Sequence, residues 1–157
     1  MPKISALLHT MNDVKRIGRA LDSLRSCDEV LVIDHGSTDG TQKAAEEHGA
    51  AVKAAIPGVD RGAYVLDLKN DWVFCLCANE ALSEELEASL HEWKQHDPKS
   101  DAGIAVGVRE ECDGGWKACT SELRLVNRTR LNWTGDLPPN TDGPPGVAGD
   151  LIRFQNP

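Results

Sequence analysis

At 157 residues, 40% hydrophobic and 27% charged, the chain has the size and make-up of one water-soluble domain, long enough to bury roughly 70% of the surface its unfolded form exposes. Seventeen basic against twenty-five acidic residues leave a formal net charge of -8, which repels phosphate backbones and counts against nonspecific nucleic-acid binding; the expected partner is a small molecule or a protein. No apolar run nears the roughly 20 residues of a membrane-spanning helix, MPKISALLHT lacks the small-residue cleavage site of a signal peptide, and five cysteines without Cys/His pairs at ligand spacing read as reduced thiols, so a cytoplasmic location is expected.

Ile4 to Thr10 is an apolar run that predicts a first strand, after which Asn12 caps a helix whose Val14, Ile17, Leu21 and Leu24 share one face. Glu29 to Asp34, EVLVID, predicts a second strand, followed by the turn HGSTDG and a short helix stopped by a left-handed Gly49. Ala51 to Ala55 is a weaker third strand, ended by Pro57-Gly58. This alternation implies a parallel sheet with helices on both faces. Gly62 to Leu68 predicts a short helix and Asp71 to Leu76 a fourth strand buried on both faces. Ser83 caps the next helix, with Glu84 and Glu85 in its first turn and Leu86, Leu90 and Trp93 as its apolar stripe, ending before Asp97-Pro98. Gly103 to Arg109, Glu122 to Asn127 and Arg130 to Trp133 then read as strands without intervening helices, antiparallel additions to the sheet. The domain is read as 1–136. Five of the last 21 residues are proline, so 137–157 is expected as a Pro/Gly-rich C-terminal extension, extended or mobile.

In an open parallel sheet, ligands bind beyond the carboxyl ends of the strands, where the strand order reverses. Those ends carry Thr10, Asn12 and Asp13, then Asp34 to Asp39, then Cys77 to Glu80. The loop from Asp34 to Gly40 has two carboxylates and no lysine, a set that suits base N–H groups or ribose hydroxyls better than phosphate. The same loop also reads as plain structure, with Ser37, Thr38 or Asp39 capping the helix. Asp34 ends an apolar strand, where a carboxylate has no evident structural duty, and is placed in the site. His35 reads as solvated, and His9 as a core residue with one hydrogen-bonded nitrogen.

Taken in order, ISALLHTMND, VKRIGRALDSL, DEVLVIDHGSTDGT and DWVFCLCANEALSEEL resemble the family two glycosyltransferases, most closely the branch that elaborates bacterial lipopolysaccharide cores. The resemblance covers roughly Lys3 to Leu90. It implies the Rossmann-like α/β GT-A fold, a mostly parallel central sheet with antiparallel additions. It also implies inverting transfer of a sugar from a nucleotide-diphosphate donor, such as a UDP-sugar, to a hydroxyl acceptor. Carried over by position, Thr10, Asn12 and Asp13 lie around the nucleotide, Asp34 reads the base or ribose, Asp39 joins the nucleotide-binding set and Arg61 stands near the diphosphate, although Gly62 replaces the usual Asn. The family carries Asp-Ala-Asp at the end of the fourth strand, holding Mg or Mn; this chain has Cys77-Ala78-Asn79, then Glu80. Both ions are hard and take oxygen, so exchanging both carboxylates weakens either cofactor. The family's later His-Glu pair is missing after Trp133-Thr134-Gly135, which leaves Glu110, Glu111, Asp113 and Asp136 as candidates for a catalytic base. The alternative is a noncatalytic relative that binds a nucleotide or a protein through the same fold.

Overall fold

The computed structural model describes residues 2–96, 102–117, 119–141 and 144–155. In chain order they form β1 (Ile4–Thr10), α1 (Ile17–Asp22), β2 (Glu29–Asp34), α2 (Thr41–Glu47), β3 (Ala51–Ala54), a 3-10 segment (Arg61–Asp67) and β4 (Trp72–Cys77). There follow β5 (Glu80–Leu82), α3 (Glu84–Trp93), β6 (Gly103–Cys112), β7 (Gly115–Trp116), β8 (Thr120–Asn127) and β9 (Gly146–Arg153). One mixed sheet takes up the strands in the order β3-β2-β1-β4-β8-β6-β9-β5, with β7 paired to β6. The segment β3-β2-β1-β4 is parallel throughout, and His9 on β1 lies level with Ile33 on β2 and Cys77 on β4. β8 runs antiparallel to β4 and β6 antiparallel to β8, which returns the carboxyl end of β6 to the same edge of the sheet as that of β4.

The unbroken apolar character of β1, β2 and β4 follows from burial on both faces. Ile4, Ala6, Leu8, Val32, Phe74 and Leu76 pack under α1, α2 and α3 through Ile17, Leu21, Leu24, Ala45, Leu86 and Leu90. The alternate positions Leu7, Leu31, Ile33, Val73 and Cys75 pack on the other side against Tyr64, Val65, Leu68 and Trp133. All three α-helices therefore share one face, whereas the sequence predicts helices on both. The reason is topological: β1, β2 and β3 are laid down in one direction, so crossovers of one hand put their helices on one side. The chain reverses only on the way to β4, and the element on that connection, the 3-10 segment, covers the opposite face.

Three further expectations change in this part of the chain, and one holds. α1 begins at Ile17 with no side-chain cap, and Asn12 instead lies in the loop before it with a left-handed φ of 55°. Ser83 does cap α3, its Oγ accepting from the Leu86 N–H at 3.2 Å; the expected stop at Asp97-Pro98 lies outside the described residues. Between Cys77 and Ser83 the chain forms the short strand β5 and not a plain turn, because Ala81 and Leu82 are drawn into the core and pair with Ile152 and Leu151 of β9. Arg130 to Trp133 is not a strand: Trp133 turns its buried ring toward the Tyr64 cluster, and its carbonyl lies so close to Gly62 that a Cβ there would meet it at 1.9 Å.

The Pro/Gly-rich end supplies β9, seated between β6 and β5, instead of only an extended or mobile tail. Gly149 makes this possible. Its φ is 94° and an added Cβ would stand 2.3 Å from the Leu86 nitrogen, so only glycine lets β9 cross the start of α3 so closely. Leu151, fully buried, anchors the strand.

Candidate functional site

Strand order reverses between β1 and β4, which places a crevice at their carboxyl ends. A cleft of about 270 Å³ opens there, and Thr10, Asp13, Arg61, Cys77 and Asn79 of the predicted residues line it. His9, His35, Arg16 and Asp136 line it as well. Asn12 and Asp39 border a neighbouring hollow of about 390 Å³ that shares Asp13 and Arg16 with the cleft. Asp34 and Glu80 line neither.

The loops after β1 and β2 are cross-tied. The Asn12 N–H donates to Ser37 Oγ at 2.9 Å, and the Asn12 amide oxygen accepts from the Thr38 N–H at 2.8 Å. The Asp13 N–H donates to Thr41 Oγ1 at 2.9 Å, and the Val14 N–H to Asp39 Oδ2 at 3.3 Å. The Asp39 carboxylate also accepts from the Thr41 N–H and hydroxyl at the start of α2. Asp13, 6% exposed, accepts from Thr10 Oγ1 at 2.6 Å and the Met11 N–H at 3.2 Å, and its Oδ1 accepts from Arg16 Nε at 2.6 Å.

Asp34 has the structural duty that strand-end position alone did not disclose. It is 2% exposed and accepts from the Gly36 and Ser37 N–H groups at 3.2 and 3.0 Å, from the Ser37 hydroxyl, and from Gln42 Nε2 at 2.7 Å. Burial alone would raise its pKa; these donors outweigh burial and hold it below the usual carboxylate range.

His9 and His35 form a pair at the cleft floor, Nδ1 to Nε2 at 2.8 Å, so His35 is not merely solvated. His9 Nε2 faces the Arg61 carbonyl at 3.1 Å. A carbonyl only accepts, so the neutral His9 carries its proton on Nε2 and accepts at Nδ1 from His35. Burial, opposed by Asp136 and reinforced by His35 and Arg61, pushes His9 down to about 4. Unfolded, it titrates near 6.5, so between pH 6.5 and 4 the unfolded chain takes up a proton that the folded chain refuses. Stability should therefore fall as pH drops through this window, by on the order of 3 kcal/mol from His9, with no further His9 contribution below it. Urea midpoints at pH 7 and pH 4 measure the loss; a His9→Gln variant with the same pH slope as the native chain would discard this assignment.

Across the cleft, Arg61 NH1 donates to both Asp136 oxygens, at 2.9 and 3.1 Å. The glycine at position 62 explains why they meet: with no side chain it lets the Trp133 carbonyl close in, and the Gly62 N–H reaches the Thr134 carbonyl at 3.4 Å. Glycine at position 62 thus leaves room for the Trp133–Asp136 segment beside Arg61. Of the four acidic candidates, only Asp136 lines the cleft. Glu110 lies 3.6 Å from Lys117 on the β6–β7 hairpin, Glu111 and Asp113 border a separate hollow there, and Asp113 accepts from Gln155.

The sequence offers the end of β4 as a weakened metal cradle, and its donors do not fit one. Glu80 does not merely approach the N-terminus of α3: it is fully buried and held by Arg124 through NH1 at 2.7 Å and NH2 at 2.8 Å, by Arg153 at 3.0 and 3.1 Å, and by the Cys77 N–H at 2.9 Å. Arg124, also fully buried, donates to Glu122 at 2.9 Å and to the Cys75 carbonyl at 3.2 Å. Burial would raise Glu80, but Arg124, the Cys77 N–H and Arg153 together outweigh it and hold the carboxyl below its usual range. Burial and Glu80 push the Cys77 thiol up to about 12, so it is no thiolate ligand at neutral pH. Asn79 lines the cleft and carries a neutral amide. Among the described residues, no group of three or more His, Cys, Asp or Glu is gathered to hold a metal ion.

No protein-family model matches the sequence. A protein of Rickettsia felis named an uncharacterized glycosyltransferase is 42% identical over 94 residues, 57% of this chain and 33% of that protein. One of Rickettsia bellii with the same name is 42% identical over 92 residues, 56% of this chain and 31% of its own length. The match thus spans about a third of each curated relative. Among solved structures, Staphylococcus aureus TarS 1-349 superposes with a TM-score of 0.55 at 19% identity, covering 72% of this chain and 37% of that one. Glucosyl-3-phosphoglycerate synthase from Mycobacterium tuberculosis, in complex with uridine-diphosphate, superposes with a TM-score of 0.50 at 20% identity, covering 73% and 46%. No helix among the described residues is long and apolar enough to cross a membrane. Over a little more than half its length the chain is thus similar in sequence to proteins named glycosyltransferases, and its sheet has the GT-A fold.

Proposed function

We propose that the chain is a glycosyltransferase unit that binds a nucleotide-diphosphate sugar, such as a UDP-sugar, at the carboxyl ends of β1 and β4 and passes the sugar to a hydroxyl acceptor with inversion. The observation that carries this reading is the position of the polar cleft, at the switch point of a GT-A sheet and between two loops cross-tied through Asn12, Asp13 and Asp39. The structural neighbour solved with uridine-diphosphate supports the nucleotide class. Thr10, Asn12 and Asp13 would surround the nucleotide, with Asp34 and Asp39 holding the second loop in shape beside it, and Arg61 would meet the diphosphate. The acceptor oxygen attacks the anomeric carbon, the bond from that carbon to the diphosphate oxygen breaks, and the diphosphate leaves with the bonding electrons. The hydroxyl proton passes to the Asp136 carboxylate.

Calorimetric titration with UDP, GDP and ADP, followed by incubation with the matching nucleotide sugars and hydroxyl acceptors, tests the reading. Saturable binding of one diphosphate and acceptor-dependent release of that nucleotide are expected. Absence of binding for all three would overturn the nucleotide site. Binding with no transfer to any acceptor would overturn catalysis in favour of a noncatalytic relative.

A further inference from the structure

A leaving diphosphate needs a cation beside it, and the tip of β4 is poorly built to hold one. Mg demands near-octahedral oxygen ligation, and Mn also favours oxygen. What the tip offers is one neutral amide oxygen from Asn79 and the soft sulfur of Cys77, while both Glu80 oxygens are consumed by Arg124 and Arg153. The positive groups that do line the cleft are Arg16 and Arg61, which reach it from the loop after β1 and from the start of the 3-10 segment.

Resting on the functional reading above, we propose that Arg16 and Arg61 together grip the nucleotide's diphosphate in place of a divalent metal, making this a metal-independent site. Each guanidinium is already tethered on one side and open on the other. Arg16 spends Nε and NH2 on Asp13, which is itself buried and fixed by Thr10 and Met11. Arg61 spends only NH1, on Asp136. Arg16 NH1 and the Nε and NH2 of Arg61 make no hydrogen bond among the described residues, so each arginine has donors to offer a phosphate oxygen. Planar, permanently charged forks suit phosphate oxygens, and donors fixed before the ligand arrives lose little freedom on binding. The tethers also differ in kind. Asp13 is buried and keeps Arg16 in place, whereas the Arg61–Asp136 pair is half exposed on both sides and open to exchange. A diphosphate that draws Arg61 to itself frees Asp136 to accept a proton, so donor binding and the unmasking of the base are one event.

UDP and uridine affinities, measured by calorimetry in EDTA and again in Mn²⁺ or Mg²⁺, test this on the native chain and on Arg16→Lys, Arg16→Met and Arg61→Met. UDP should bind equally well in EDTA and in metal. Each Met variant should weaken UDP by about tenfold or more, the scale of a lost charge-assisted hydrogen bond, while uridine changes by less than about twofold. Arg16→Lys, which keeps charge but not the fork, should fall between native and Met. If UDP binds only with metal, the inference fails and the nucleotide site stands. If Arg16→Met weakens uridine and UDP alike, Arg16 shapes the loop and does not hold phosphate, and the inference again fails. Should UDP bind in neither buffer, this inference fails, and if GDP and ADP bind in neither as well, the nucleotide site falls with it.

Discussion

Arg124→Met should lose about 3–5 kcal/mol of folding stability, the cost typical of stripping one partner from a buried ion pair. The side chain is fully buried and gives hydrogen bonds to Glu80, Glu122 and the Cys75 carbonyl. Without it, Glu80 stays buried with Arg153 and the Cys77 N–H as its donors, and the strand carbonyl of Cys75 loses this partner. For a domain of this size the loss corresponds to a fall of roughly 10 °C or more in melting temperature. The double variant Glu80→Leu with Arg124→Met removes both charges and leaves Arg153 on Glu122, at 3.2 Å, so it should be more stable than Arg124→Met alone. Denaturant titration of the single and double variants measures both effects. A single variant within about 1 kcal/mol of the native chain would show that the cluster contributes little, since ordinary surface changes fall near that range.

Asp136→Asn should reduce sugar transfer by about 10²–10⁴-fold, the usual contribution of a general base, while leaving UDP affinity unchanged or raised. The asparagine keeps the shape and one oxygen for Arg61 but cannot take the acceptor's proton at neutral pH. It also removes the carboxylate that competes with the diphosphate for Arg61, now held at 2.9 Å. Initial rates with saturating nucleotide sugar, set beside UDP affinity for the same variant, separate the two roles. Transfer within about threefold of native would acquit Asp136, because a base contributes at least about a hundredfold. The hairpin carboxylates Glu111 and Asp113, which border the separate hollow, would then be next to test.

The GT-A ancestry of the first 90 residues could be read from local signals. β1, β2 and β4 are apolar runs flanked by turn residues, and Gly49, with a φ of 88°, stops α2 as its position predicts. Burial on both faces writes such strands plainly into the sequence. β5 and β9 left no comparable trace: one has three residues and exists because β9 pairs with it about 70 positions away in the chain, and the other is broken by Gly149 and held between β5 and β6. Trp133 misled in the opposite sense. Its alternation with Leu131 resembles a strand, but its burial comes from a loop packing onto Gly62.

The site divides the same way. Residue order alone determined where ligands should approach, because the carboxyl ends of parallel strands follow from the succession of strand and helix, and it put Cys77 and Asn79, neither of them a carboxylate, at the end of the fourth strand. Only the tertiary structure decided what the remaining charges do. Glu80 meets Arg124 across 44 positions, Arg61 meets Asp136 across 75, and His9 meets His35 across 26. A carboxylate reads the same in sequence whether it will face a ligand or a buried guanidinium; its partner is set by which strands become neighbours, and that is a property of the sheet as a whole.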